Sequence, residues 1–173
     1  LYCLRKLRPI VNDDTIMLAY HGLFASRMAY GIILWGNSSE SQRIFRLQKQ
    51  AIRIVCRKPA GSHARPLFVE SKVLTMPAIY VLEVLKEIKK DSSSLTRRGD
   101  INMHLTRQAD QIDVPRARLT KTQRHWMYLG LKMFNHLPSD LRHSEEKTFQ
   151  KRIREKLLKE CIYTVDGFWE VEF

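Results

Sequence analysis

From Arg43 to Lys58 the apolar and cationic positions fall on separate arcs when spaced at about 100° per residue, and this pattern predicts one amphipathic helix. Ile44, Leu47, Ala51, Ile54 and Val55 share one arc, while Arg43, Arg46, Lys49, Arg53 and Arg57 lie within roughly 120° on the opposing one. Upstream, Leu1 to Leu7 reads as helix. Met17, Leu18, Leu23, Phe24 and Met28 continue at helical spacing behind an N-cap at Asp13 or Asp14. Gly22 and Gly31 interrupt that run and mark close packing or a bend. Gly36-Asn37-Ser38-Ser39 ends the element and caps the basic helix, and Pro59-Ala60-Gly61-Ser62 is a loop behind it.

The second half follows the same logic. A short helix is expected from Arg65 to Glu70, and Thr75 with Pro77 opens a longer one to about Lys90. There Ala78, Val81, Leu82, Leu85 and Ile88 face inward, and Glu83/Lys86 and Glu87/Lys90 face water. The polar stretch from Asp91 to Asp100 has little to bury and marks a boundary. Ile112 to Leu119 alternates like a short strand that Pro115 confines to an edge or an extended arm. Thr120-x-x-Gln123 forms a capping box for a helix with Trp126, Gly130, Met133, Phe134 and Leu137 on one face, ending at Leu137-Pro138. Ser144, Glu145 and Glu146 start a last helix in which Phe149, Ile153, Leu157 and Cys161 recur every fourth residue. The expected fold is therefore mostly α, organised as 1–60, 61–95 and an α-rich module with one extended arm over 96–173.

Composition changes the picture in one direction. The 173 residues carry a formal charge of +12, which points to polyanionic partners, nucleic acid ahead of an acidic membrane surface. The longest apolar run, Met28 to Trp35, is far short of the roughly 20 residues of a spanning helix, so no membrane partner is expected. Cys3, Cys56 and Cys161 are far apart and lack Cys-x-x-Cys spacing, which fits free thiols better than a disulfide framework or a zinc knuckle. The six histidines show no His-x-x-x-His spacing, and neither a phosphate-binding glycine loop nor a Gly-x-Ser-x-Gly elbow is present. Asn12-Asp13-Asp14 offers the adjacent aspartates with which polymerases hold magnesium, but its flanks have helical spacing rather than that of a β-hairpin, and helix capping is the expected role. No cofactor is expected in this chain. The basic arc is different, because no acid occurs between Gln42 and Pro59 to pair with it. Cations at successive turns suit a sugar-phosphate backbone. The candidate nucleic-acid-binding residues are Arg43, Arg46, Lys49, Arg53 and Arg57, then Lys58 and Arg65; Arg107, Arg116 and Arg118 form a second candidate surface in the arm.

Three groups of residues carry a family resemblance. The first is Leu4-Arg5-Lys6-Leu7-Arg8, Tyr20-His21-Gly22-Leu23-Phe24 and Tyr30-Gly31-Ile32-Ile33-Leu34-Trp35-Gly36-Asn37. The second is Arg46-Leu47-Gln48-Lys49-Gln50-Ala51-Ile52-Arg53-Ile54-Val55. The third is His104-x-Thr106-Arg107-Gln108, Pro115-x-x-Arg118-Leu119-Thr120, Gly130-x-Lys132, Asn135-x-Leu137-Pro138-x-x-Leu141-Arg142 and Phe149-x-x-x-Ile153. In this order they resemble the region after the palm in reverse transcriptases of non-LTR, LINE-like retrotransposons, closest to the jockey-like group. Arg124-His125-Trp126 departs from that pattern, since relatives often carry a Ser-Pro or Ser-Phe step there.

The resemblance implies a helical thumb over 1–60, a helical extension over 61–95 and a carboxy-terminal module over 96–173. It implies partners as well: an RNA template, an RNA–DNA duplex, target DNA, and the upstream palm and fingers of the same polyprotein. The family's catalytic Phe/Tyr-x-Asp-Asp turn is not found in this sequence, so this piece is expected to be non-catalytic on its own, with magnesium held only by a palm outside it. An intracellular location, nucleus and cytoplasm, goes with that role. Because the chain opens inside helical sequence with Leu1, it reads as a piece of something longer. The rival expectation is a free-standing basic helical remnant of such an element that binds RNA, DNA or a protein.

Overall fold

The computed structural model describes residues 1–101 and 108–173, so Arg107 of the second candidate surface lies outside the described residues, as do His104 and Thr106 of the family motif. The protein is mostly α, and among the described residues the only β pairing is a single antiparallel bridge between Arg97 and Ile112. No described helix is long and apolar enough to cross a membrane. Contacts divide the chain into two compact units, 1–80 with 156–165, and 81–155 with 166–173.

The first unit contains α1 (Tyr2–Leu7), α2 (Asp13–Tyr20), a π-helical turn (His21–Ala25), α3 (Ser26–Ala29), α4 (Ile32–Trp35), α5 (Ser41–Val55), α6 (Ala64–Glu70) and the start of α7 (Met76–Asp91). The cap of α2 sits one residue before the expected aspartates: the Asn12 side chain accepts from the Thr15 amide at 2.9 Å. Asp13 and Asp14 occupy the first turn, where carboxylates favour the macrodipole. Gly22 has open space where a Cβ would stand, so close packing does not explain it, whereas Gly31 supplies a bend at φ +60°. Glu40 rather than the Gly36–Ser39 stretch precedes α5, and no side chain caps that helix.

Inside this unit Leu4, Ile16, Tyr20, Ile32, Phe45, Ile52, Phe68 and Met76 are fully buried. Gly36 is packed tightly, since a Cβ there would lie 2.5 Å from Tyr80 Cδ2 and 2.7 Å from the Ile32 carbonyl oxygen. Gly36→Ala is therefore expected to destabilise the fold by about 1–3 kcal/mol through overpacking against a ring and a backbone atom, readable as a lower urea midpoint.

The second unit is built on the rest of α7, with α8 (Arg98–Ile101), α9 (Thr120–Gln123), α10 (Trp126–His136), α11 (Ser139–His143), most of α12 (Glu146–Glu160) and a 3₁₀ turn (Asp166–Glu170). The inward positions expected on α7 are all buried, and the Glu83–Lys86 pair forms at 2.9 Å. On α12, Phe149, Ile153 and Leu157 are fully buried as the four-residue spacing requires. Gly130 of α10 lets that helix approach Val84 and Ile88. The expected capping box at Thr120 opens only the single turn of α9. His125 caps α10 instead, its Nδ1 accepting from the Met127 amide at 3.4 Å. The polar stretch near Arg97 is held by backbone bonds, Arg98 N–H to the Gln111 carbonyl and Asp113 N–H to the Thr96 carbonyl, both 2.9 Å. Beyond Ile112 the expected strand is an extended stretch without a ladder, which leaves the arm alternative.

Candidate nucleic-acid interface

The basic helix forms where the sequence places it, but its core-facing arc is rotated. Ser41, Phe45, Gln48, Ile52 and Val55 lie inside, with Ala51 and Ile54 also buried, while Ile44 is half-buried and Leu47 is 40% exposed. On a 100° helical wheel the inward centre has turned by roughly 65° from the expected one. The cause is Gln48, a polar residue that a hydrophobicity pattern assigns to water. Its amide nitrogen donates to the Tyr20 hydroxyl at 3.1 Å and to the Leu74 carbonyl at 2.9 Å, and its carbonyl oxygen accepts from the Met76 amide at 2.7 Å. Fully paired, a buried amide no longer carries a desolvation penalty and can sit at the centre of the interface.

The rotation sorts the predicted cations. Arg46 stands on the exposed face, with no ion-pair or hydrogen-bond partner for its side chain among the described residues. Arg43 is exposed and pairs with Glu40 at 3.0 Å, a contact open enough to water to contribute little. Lys49 comes to the edge of the buried arc, so its ammonium lies over the Phe45 ring (4.8 Å) and near Tyr163 (5.6 Å). Arg65, from the first turn of α6, lies over the same Tyr163 ring at 5.1 Å. The aromatic ring, which belongs to the first unit through the 156–165 segment, thus gathers two predicted cations. Burial raises the Tyr163 phenol above its ordinary value, a nearby Cys161 adds to that, and Arg65 and Arg53 pull it back. Sequence reasoning missed Tyr163, because nothing local ties position 163 to positions 49 and 65.

Arg53 donates its ε N–H to the Ser62 carbonyl at 2.7 Å, which fixes the guanidinium while leaving its terminal nitrogens without a recorded partner among the described residues. Lys58 is exposed beyond the helix. Arg57 departs from the expected arc. The helix stops at Val55, and Arg57 adopts a left-handed backbone at φ 55°, which turns its side chain towards the start of the chain. There its guanidinium donates to Asp13 Oδ1 (2.7 Å) and to the carbonyls of Arg8 (2.7 Å) and Val11 (2.6 Å). Three such bonds offset the roughly 1–2 kcal/mol of a left-handed residue and make Arg57 a tie between segments.

α1 packs against α5 and brings two further cations that the sequence reading did not select. Arg5 and Arg8 line a depression of about 370 Å³ together with Gln50, Arg53, Ile54, Lys58 and Ala60. In the second unit Arg116 and Arg118 are exposed on the extended stretch, with no ion pair among the described residues. No group of three or more His, Cys, Asp or Glu side chains suited to a metal ion occurs among the described residues. Asp13 is paired with Arg57, and Asp14 is exposed.

No family model matches the sequence, and no curated protein and no solved structure matches it.

Proposed function

We propose that this chain is the nucleic-acid-binding, thumb-like and carboxy-terminal part of a non-LTR retrotransposon RNA-directed DNA polymerase, and that it holds the template–primer duplex for a palm outside the chain. Polymerisation then belongs to that palm and its magnesium, with this part acting as the clasp. The observation that carries the reading is the surface of the first unit. Arg46, Lys49, Arg53, Lys58 and Arg65 have no carboxylate partner among the described residues, although acids are available elsewhere in the chain to pair with Arg43 and Arg57. A clasp on a duplex needs backbone contacts and no base readout, which is what unpaired cations at successive helical turns provide. The exposed Arg116 and Arg118 offer the same chemistry in the second unit.

The reading is tested by binding of the wild-type chain to an RNA–DNA hybrid duplex across a salt series. Five phosphate contacts predict that log K falls with log salt at a slope between about −3 and −5, and that shuffling the duplex sequence leaves the slope unchanged. Absence of binding at about 50 mM salt, or a slope near zero, overturns it.

A further inference from the structure

The depression between α1 and the end of α5 has a composition that fold stability alone does not call for. Four cations, Arg5, Arg8, Arg53 and Lys58, line it beside the Gln50 amide, and no carboxylate among the described residues does. The nearby Asp13 is held by Arg57. A helix macrodipole favours cations near each helix's carbonyl end, which accounts for Arg53 in the last turn of α5 and Lys58 just beyond it. It does not account for two such ends meeting around one concavity, because like charges brought together raise the energy of the fold unless an anion joins them. The Arg53 guanidinium is held by its bond to the Ser62 carbonyl, and the main chain that carries Arg5 and Arg8 is fixed by the buried Leu4 and by the Arg8 carbonyl, which accepts from Arg57.

We infer that this depression is a seat for a phosphate monoester, the group found at the end of a nucleic-acid strand. The inference rests on the reading of the first unit as a nucleic-acid surface. Its volume, about 370 Å³, is within the range of small-ligand pockets and exceeds what a phosphate group alone fills, leaving room for part of the attached sugar. A monoester carries about −1.5 to −2 charges at neutral pH, against one for an internal diester, and so offsets more of the local positive charge. An internal phosphate also has a nucleotide on both sides that must clear the rim, whereas a terminal one enters end-on. The guanidinium groups supply forked donors to the phosphate oxygens, and the Gln50 amide supplies a neutral one.

The test compares three hybrid duplexes of one sequence, carrying a 5′-phosphate, a 3′-phosphate or hydroxyls at every end, against the wild type, R5Q/R8Q and K58Q. One terminal phosphate is expected to raise wild-type affinity about tenfold over the hydroxyl-ended duplex. R5Q/R8Q removes that difference, binding all three duplexes equally whatever its overall affinity, and K58Q reduces the difference. Millimolar inorganic phosphate competes away the difference and leaves the underlying duplex binding. Equal wild-type affinity for all three duplexes, or a preference that survives in R5Q/R8Q, overturns the inference and leaves the α5 surface standing. Failure of all three duplexes to bind overturns the duplex reading instead. The seat is then judged by inorganic phosphate alone, which must raise the melting temperature of the wild type and not of R5Q/R8Q; an equal response overturns it.

Discussion

Replacement of Gln48 by methionine is expected to lower the stability of the fold by about 3 kcal/mol, and replacement by alanine by about 4 kcal/mol, on urea denaturation. Methionine fills nearly the same volume, so its effect isolates the hydrogen bonds. Without the amide, the Leu74 carbonyl, the Met76 amide and the Tyr20 hydroxyl lose their recorded partner in a region where Gln48, Tyr20 and Met76 are almost wholly buried. Each unsatisfied group costs about 1–3 kcal/mol, and water entering beside the smaller alanine recovers part of that while the lost packing adds to it. Met76 is the first residue of α7, so its amide is one of the orphan donors of that helix and has no internal partner to fall back on. Burial already pushes the Tyr20 phenol up to about 12, and removing the Gln48 bond, which lowers it, leaves the hydroxyl harder still to ionise. Unfolding of the methionine variant within about 0.5 kcal/mol of the wild type would show that the buried amide is incidental, and the account of the rotated helix would go with it.

Gln48 also shows where the sequence was readable and where it was not. Periodicity located α5, α6, α7 and α12 to within a few residues, because each has enough apolar positions at helical spacing to define its ends. On α7 and α12 the inward faces were also as expected, since those stripes are continuous and aliphatic. On α5 they were so only in part: Ala51, Ile54 and Val55 are buried, whereas Ile44 and Leu47 are not. Hydrophobicity ranks Gln48 with the solvent side, and the three partners that make it an interior residue come from positions 20, 74 and 76, distant in the chain. The same limit hid the loss of Arg57 from the cationic arc, which depends on a left-handed residue and on acceptors at positions 8, 11 and 13. It also hid the gain of Arg5, Arg8 and Tyr163, each brought to the α5 surface by tertiary packing. Local rules give the cations that a helix offers, and the fold decides which of them remain available.

Reversal of charge at Arg46, Lys49 and Arg53 together, each to glutamate, is expected to weaken binding to a hybrid duplex several hundredfold at about 0.1 M salt and to reduce the salt slope by about 2.7. Each phosphate contact contributes about 0.9 to the slope, a factor of about eight between 0.1 M and 1 M, and three contacts multiply to roughly 500. The added carboxylates repel the backbone, so this is the smaller end of the effect. The three positions differ in what else they do. Arg46 has no side-chain partner among the described residues, so R46E reports on binding with little effect on folding. Lys49 lies over Phe45, a contact that contributes about 0.5–1 kcal/mol, and Arg53 holds the Ser62 carbonyl. A loss of binding in the triple variant therefore counts only when its unfolding midpoint stays within reach of the wild type, and R46E alone should still reduce the slope by about 0.9. R57E is the internal contrast: it breaks a tie to Asp13 and two carbonyls, so it should lower stability more than it lowers the salt slope. Unchanged affinity in a folded triple variant would remove α5 as the surface that meets phosphate.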